Sequence, residues 1–483
     1  VPSTTVPVEG FTLTPNGKID RRQLPSTQRI RPELTTSFVA PGTAIESFVA
    51  GLWRGILDLD RVGIHDRFFD LGGTSLQAAR FINQLQTELG EQIFVVTVFS
   101  APSIAEYAAF LEANYPDAIA RRFGAITVAA DAGLPRTPIS EADIAVLQAA
   151  VPTTSHPKSE DEEKNPPAVF ILGPPRSGTT LLRIMLAGHP DLFSASELQL
   201  LGFSTLRERA TAYSGSFSAW LDGTIRAIME INQCEASEAK ATMQADEDAD
   251  LSTKQFFGRI QELIGPRTLV DKSPSYALDP AALRKAETDF TRPRYVHLVR
   301  HPRPVIDSFE KHHMEQVIYL RNHSFDSRQL GELVWTLSHR NITEFLATVP
   351  EDRRHQLRFE DLVQDPASQM EELCMALSIP FHPGVVDPYK GVDHKMVDGV
   401  HAESAPMGDP GFMRRRQIDP SVAEAWTANT DSRPLGEPTL QLAASFGYDR
   451  FDPDDDGPRS SQAGRKALER QRTLRGRAPR TRG

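Results

Sequence analysis

"GPPRSGTTLL", Gly173 to Leu182, decides how this chain is read. In front of it "PAVFIL", Pro167 to Leu172, is an apolar run with β-branched residues, which predicts a buried parallel strand. Behind it Leu181, Leu182, Met185 and Leu186 recur at helical spacing. The segment is therefore strand, tight loop, helix, a geometry whose backbone N–H groups converge on an anion. A strand–loop–helix also occurs without a ligand, but the Gly, Pro, Ser and Thr content of this loop argues against that. Gly173 and Gly178 have the spacing of a nucleoside-triphosphate loop, and Thr180 fills its hydroxyl position. Thr179 stands where that loop carries lysine, and the nearest cation is Arg176, inside the loop. A triphosphate with magnesium wants the lysine and a carboxylate-supported metal, and no clear acidic strand end follows.

A 5'-phosphosulfate has less charge to neutralise at its reacting end, so one arginine with N–H and hydroxyl donors can hold it without metal. "PPRSGTTLL" resembles the 5'-phosphosulfate loop of sulfotransferases that use 3'-phosphoadenosine 5'-phosphosulfate. The resemblance implies that Arg176 stabilises the leaving bridging oxygen and that Pro175, Ser177, Gly178, Thr179 and Thr180 surround the 5'-phosphate. A second grip on the 3'-phosphate is needed, and "RYVHLVRHPRPVIDSFEKH" supplies candidates. Tyr295 to Val299 reads as another buried strand, Arg300 falls at its carboxyl end, and Ser308 lies in the helix that Pro302 and Pro304 open. The Arg300–Ser308 spacing resembles the family's 3'-phosphate pair; a structural ion-pair arginine is the alternative. Arg415, within Arg414–Arg416, falls in the late loop that closes over that phosphate in the family.

A hydroxyl attacking sulfur must lose its proton. Glu197 in "LFSASELQLLGF" is the candidate base, although Ser194-x-x-Glu197 also has the form of a capping box for a following helix. The run "LLRIMLAGHPDLFSASELQLLGF", with "VDKSPSYALD" and "HKMVDGVHAESAPMGDPGF", resembles sulfotransferase domains embedded in polyketide and peptide synthetases. Those act on β-hydroxyacyl groups tethered to a carrier. The resemblance covers roughly residues 165–450 and implies a P-loop-like α/β domain with a parallel sheet and Glu197 as base; Lys272 is either a structural lysine or an active-site cation. His323, His339, His394 and His401 lie in the matching segments; each is a possible acceptor-orienting group or a structural histidine.

The amino-terminal third reads differently. "LTPNGKIDRRQLP" resembles the closing motif of adenylation domains in nonribosomal peptide synthetases, with Lys18 in the lysine position, and residues 1–37 are expected to be an inactive remnant. Residues 38–116 carry helical periodicity: Ile45, Phe48, Val49, Leu52, Trp53 and Ile56 recur at i, i+3, i+4 and i+7. Ser75 follows Gly72-Gly73-Thr74 at the start of the second helix, where an N-capping role is one reading. "DRFFDLGGTSL" and the helix pattern resemble a peptidyl or acyl carrier, an all-α four-helix bundle. That implies 4'-phosphopantetheine on Ser75, installed by a phosphopantetheinyl transferase, with upstream synthetase domains and a tethered acyl or peptidyl substrate as partners.

Composition bounds the rest. The 483 residues exceed one ordinary core, which predicts several domains. A net charge of -11 argues against general nucleic-acid binding, and no apolar run is long enough to span a bilayer. Two distant cysteines give neither a disulfide framework nor metal spacing, which suits a cytoplasmic setting and no metal site. The absence of an initiator Met or signal peptide suggests a piece of a longer chain. Residues 117–166 read as linker, with a short helix capped by Ser140, and 452–483 as a disordered basic tail. The whole is a carrier followed by a sulfotransferase that sulfonates a tethered hydroxyacyl or hydroxypeptidyl group. Its rivals are a sulfotransferase for a free acceptor, a P-loop kinase and a catalytically silent docking module.

Overall fold

The computed structural model describes residues 30–124, 137–152, 163–318, 320, 323–391, 395–397, 400, 412, 415–424 and 433–448, with Gly10 and Ile19. Lys18, His394, His401, Arg414 and the basic tail lie outside the described residues.

The first unit is helical: α1 (Ala44–Leu57), α2 (Ser75–Leu89), the one-turn α3 (Thr97–Ser100) and α4 (Ile104–Asn114). Capping boxes open α1 at Thr43/Glu46 and α4 at Ser103/Glu106. Trp53, Phe68, Phe81 and Tyr107 are fully buried between the helices. The Trp53 and Phe68 rings meet edge-on at 5.0 Å, and those of Phe81 and Tyr107 at 5.1 Å, a geometry that adds to simple area burial. A further helix, α5 (Pro116–Phe123), contributes Ala118 and Ile119 to the same core.

The Gly-Gly pair before α2 is set by packing. Gly72 has φ +88°, and a Cβ on Gly73 would lie 2.5 Å from the Phe68 ring. The cap of α2 is Thr74, not Ser75: the Thr74 side chain accepts from Gln77 N, and Thr74 N donates in return to the Gln77 side chain. Ser75 is the exposed first helical residue. Thr74 takes the role because it is the residue with extended backbone, φ -109° and ψ 164°.

Between the two units α6 (Glu141–Ala150) is capped by Ser140, as expected. It packs Ile144 and Leu147 against Leu330, Leu333 and Leu337, and Arg340 grips Glu141 with two hydrogen bonds of 2.8 Å.

The second unit holds β1 (Ala168–Leu172), α7 (Thr179–Leu186), β2 (Leu192–Ser194), β3 (Thr268–Asp271), β4 (Arg294–Val299) and β5 (Arg354–Arg358). The strands form one parallel sheet in the order β2-β3-β1-β4-β5. All of β1 is buried because both faces are covered: Phe170 and Leu172 join one core, Val169 and Ile171 the other. From β1 the chain passes to the edge strand β2, returns to β3 beside β1, and then crosses to β4 on the other side. The crevice beyond the carboxyl ends of β1 and β4 is thus the switch point where open α/β sheets bind ligands.

The helical unit rests on the sheet unit. Its α3 packs against the 3₁₀ turn Gly215–Leu221, and the Tyr115 ring lies 4.6 Å from that of His313.

Candidate functional site

Two loops meet at that crevice. After β1 the chain turns through Arg176, φ +69°, whose Nε donates to Ser308 Oγ at 2.9 Å. After β4, Arg300 donates through Nη1 to the Arg176 carbonyl oxygen at 2.9 Å. Phe359, the first residue past β5, lies beneath both. A Cβ on Gly178 would stand 2.3 Å from its ring, and the Arg300 guanidinium covers the same ring at 4.2 Å. Burial pushes Arg300 down to about 10, and the charges of Arg176 and Arg415 add to that while Glu360 opposes it. Three arginines, with the Glu360 carboxylate beside them, gather at a crevice suited to an anion. Ser177 Oγ and Arg300 Nε are buried polar atoms with no hydrogen-bond partner among the described residues. Orphaned buried donors are rare, and phosphate oxygens at this loop would satisfy them.

The second cluster lies on the β3 side. Lys272, the residue after β3, ion-pairs with the Glu197 carboxylate and donates to Thr180 Oγ1 at 3.3 Å. Its side chain is 2% exposed and that of Glu197 is 28% exposed. Burial pushes the lysine below its ordinary value, opposed by the carboxylate beside it. Gln199 Nε2 also donates to Glu197, at 3.3 Å. No helix starts at Ser194: it ends β2, and its hydroxyl donates to the Arg183 carbonyl at 2.9 Å. The backbone after Glu197 is instead tied to β3, with Gln199 N donating to Ser273 Oγ at 3.1 Å and Leu200 N to the Tyr276 hydroxyl at 2.8 Å.

A cleft with room for about 440 Å³ opens over this floor. Arg176, Thr179, Thr180, Glu197 and Lys272 line its base; Phe203, Tyr213, Phe217 and Trp220 line one side. Asp222 joins that side, its carboxyl pushed up to about 6 by burial, with Lys240 and Arg209 opposing. The helical unit also lines the cleft, through Ala79, Ile82, Asn83, Gln86 and Phe94–Val96.

The structure therefore gathers Arg176, Arg300 and Ser308 into one contact set with Arg415 close in charge, and Glu197, Lys272 and Thr180 into a second. Thr179 and Arg176 lie on the cleft floor with them. His339 is elsewhere, paired with His297 at 2.8 Å in the core and pushed well below its ordinary value by burial. His323 stacks on Phe325 at 6.0 Å and does not line the cleft. The aromatic side, Asp222 and Phe359 were not singled out from the sequence. The density of aromatic residues in "SFSAWLDG" was the available signal for the first two.

Comparison with known proteins agrees with this geometry. The sequence pattern of the sulfotransferase family matches residues 167–383, and that of the phosphopantetheine attachment site matches residues 47–111. The sulfotransferase domain from the curacin biosynthetic pathway is 39% identical, with 60% of this chain and 100% of that one covered and a TM-score of 0.56. The sulfotransferase domain of the Synechococcus PCC 7002 olefin synthase is 35% identical over 62% of this chain and 100% of that one, with a TM-score of 0.55. The chain is similar to gramicidin S synthase 2 of Brevibacillus brevis, 39% identical over 112 residues, which are 23% of this chain and 2% of the synthase. It is also similar to malpinin synthetase of Mortierella alpina, 44% identical over 108 residues, 22% of this chain and 1% of that one. This chain thus spans a few hundredths of those synthetases' length. A switch point lined by arginines, a carboxylate–lysine pair beside it and full coverage of two solved sulfotransferase domains lead to one assignment: the chain belongs to the sulfotransferase family and carries a phosphopantetheine-attachment carrier domain ahead of its sulfotransferase domain.

Proposed function

We propose that this chain is part of a synthetase module that sulfonates the hydroxyl of a hydroxyacyl or hydroxypeptidyl thioester, held on Ser75 through 4'-phosphopantetheine, using 3'-phosphoadenosine 5'-phosphosulfate. The observation that carries this reading is the Glu197–Lys272 pair, abutting Thr180 of the anion loop on the floor of the cleft. The donor supplies an activated sulfuryl group. Arg300 and Ser308, with Arg415, hold its 3'-phosphate; Ser177, Gly178, Thr179 and Thr180, following Pro175, hold the 5'-phosphate. Glu197 accepts the acceptor's hydroxyl proton as the oxygen bonds to sulfur. Arg176 and Lys272 offset the charge that grows on the departing phosphate, an electrostatic task suited to fixed, partly buried cations.

On the carrier, Ser75 suits modification: it is exposed, and Thr74 already caps α2. A phosphodiester there sits at the positive end of a 15-residue helix. A phosphopantetheinyl transferase installs the arm and upstream synthetase domains load it, in a cytoplasmic setting. Among the described residues no helix is long and apolar enough to cross a membrane.

The test is high-resolution mass spectrometry of the arm. The holo chain is loaded with a panel of hydroxyacyl groups and given either the phosphosulfate donor or ATP with magnesium. A sulfuryl gain that is lost in Glu197→Gln supports the reading. A phosphoryl gain with ATP overturns it in favour of a kinase, and donor turnover with every arm unchanged assigns a free acceptor.

A further inference from the structure

The carrier does not merely precede the cleft; it walls it. In α2 the residues Ser75, Ala79, Ile82, Asn83 and Gln86 fall on one helical face. The last four line the same cleft as Glu197 and Lys272. Ser75 is exposed on that stripe, one turn beyond Ala79, roughly 6 Å along the helix axis. Gln86 Nε2 donates to the Ile93 carbonyl at 2.6 Å and so ties α2 to the neighbouring Phe94–Val96 wall. Two contacts among the described residues help to hold this wall in place. One is α3 on the turn Gly215–Leu221, which supplies Phe217 and Trp220 to the cleft. The other is Tyr115 against His313.

The wall also matches the chemistry of the arm. A phosphopantetheine chain alternates amide groups with short alkyl links. The carrier wall sets the amides of Asn83, Gln86 and Gln92 among Ala79, Ile82 and Val95. A carrier packed only for stability has no need to aim its attachment stripe at a reactive floor.

Resting on the proposed function, we infer that the Ser75 arm runs along the carrier's own second helix into the cleft, so that each chain modifies its own carrier, and that the docked carrier of this structure is the delivery arrangement. A short tether of this kind supplies a local concentration in the millimolar range without requiring affinity for the acyl group.

Two experiments on the full chain test this. In Ala79→Trp the side chain blocks the route but not the floor. Expected are complete phosphopantetheinylation, affinity for 3'-phosphoadenosine 5'-phosphate within about threefold of the parent, and sulfonation of the loaded arm slowed about tenfold or more. Unchanged turnover of the loaded arm overturns the route. In the second, loaded Glu197→Gln, which has an arm but no base, is mixed at low micromolar concentration with Ser75→Ala, which has a base but no arm. Delivery within one chain predicts a mixture no faster than Glu197→Gln alone. A rate approaching the parent's overturns the inference while leaving the proposed function standing. A parent that leaves every loaded arm unmodified removes the proposed function, and this inference falls with it.

Discussion

Lys272 and Glu197 form an ion pair in which the lysine is almost wholly buried and the carboxylate faces the cleft. A buried ammonium is costly without a partner, and removing one member of such a pair typically costs several kcal/mol because the other charge is stranded. The lysine is also bonded to Thr180, so the pair joins the proposed base to the anion loop.

Glu197→Gln keeps the shape and a hydrogen-bond acceptor for Lys272 while removing the base. Sulfonation of a loaded arm is expected to fall by about 10²- to 10⁴-fold, with affinity for 3'-phosphoadenosine 5'-phosphate within about threefold of the parent, well under 1 kcal/mol. Single-turnover mass spectrometry and calorimetry check the two halves. Loss of nucleotide affinity in parallel with turnover would make Glu197 a structural partner of Lys272.

Arg300 and Ser308 both bond Arg176, the first at its carbonyl oxygen and the second at its Nε. If they grip the 3'-phosphate, Arg300→Ala weakens 3'-phosphoadenosine 5'-phosphate binding by about 10- to 100-fold, the worth of a hydrogen-bonded charge. Binding of adenosine 5'-phosphate, which lacks that group, stays nearly constant. Equal losses for both nucleotides would mean that Arg300 only supports the loop through Phe359 and the Arg176 carbonyl.

The strand–loop–helix around Gly178 and the place of Arg300 at a strand end were legible in the sequence because local chemistry writes them. The apolar strands, the Gly178 turn and the residue at the strand end lie within short windows. Glu197 was ambiguous for the opposite reason. Ser194-x-x-Glu197 has capping spacing, yet Ser273 and Tyr276, brought in by β3, fix a non-helical backbone that no local pattern announces. The cleft's sides were not legible, because Asp222, Phe217 and the carrier's Val95 share a surface only once the two units dock. Phe359 under Gly178 is likewise a contact between distant segments. At the carrier serine the sequence offered an N-cap at Ser75, and the extended backbone of Thr74 gives that role to the residue before it.

That division of labour at the start of α2 is testable. Thr74→Ala removes the cap and is expected to destabilise the carrier by about 1 kcal/mol, read as an earlier denaturation midpoint. Ser75→Ala leaves the cap intact, so its midpoint should match the parent's within about 0.5 kcal/mol, while arm attachment is abolished. Equal destabilisation by the two would return the capping role to Ser75.

Asp222 gives a prediction whose sign follows from burial. Its carboxyl is pushed from 3.8 up to about 6 by loss of solvent, against the opposing charges of Lys240 and Arg209. Below the lower value both folded and unfolded chains hold the proton, and Asp222→Asn changes little. As pH rises toward 6 the unfolded chain releases the proton first, so the unfolded state gains and the folded state is penalised. Above 6 the penalty is complete, at about 2–3 kcal/mol. Asp222 also opens a helix, where a negative charge is favourable by about 0.3–1 kcal/mol, so burial wins. Asp271, pushed up to about 6 for the same reason, is present in both proteins and cancels in the difference. Asp222→Asn is therefore expected to stabilise the chain more at about pH 7.5 than at about pH 4, by about 2 kcal/mol in urea titrations. A gain independent of pH would show that Asp222 is solvated. A loss at the higher pH would show that the helix end and the nearby cations outweigh burial, leaving the cleft's aromatic side without a penalised charge.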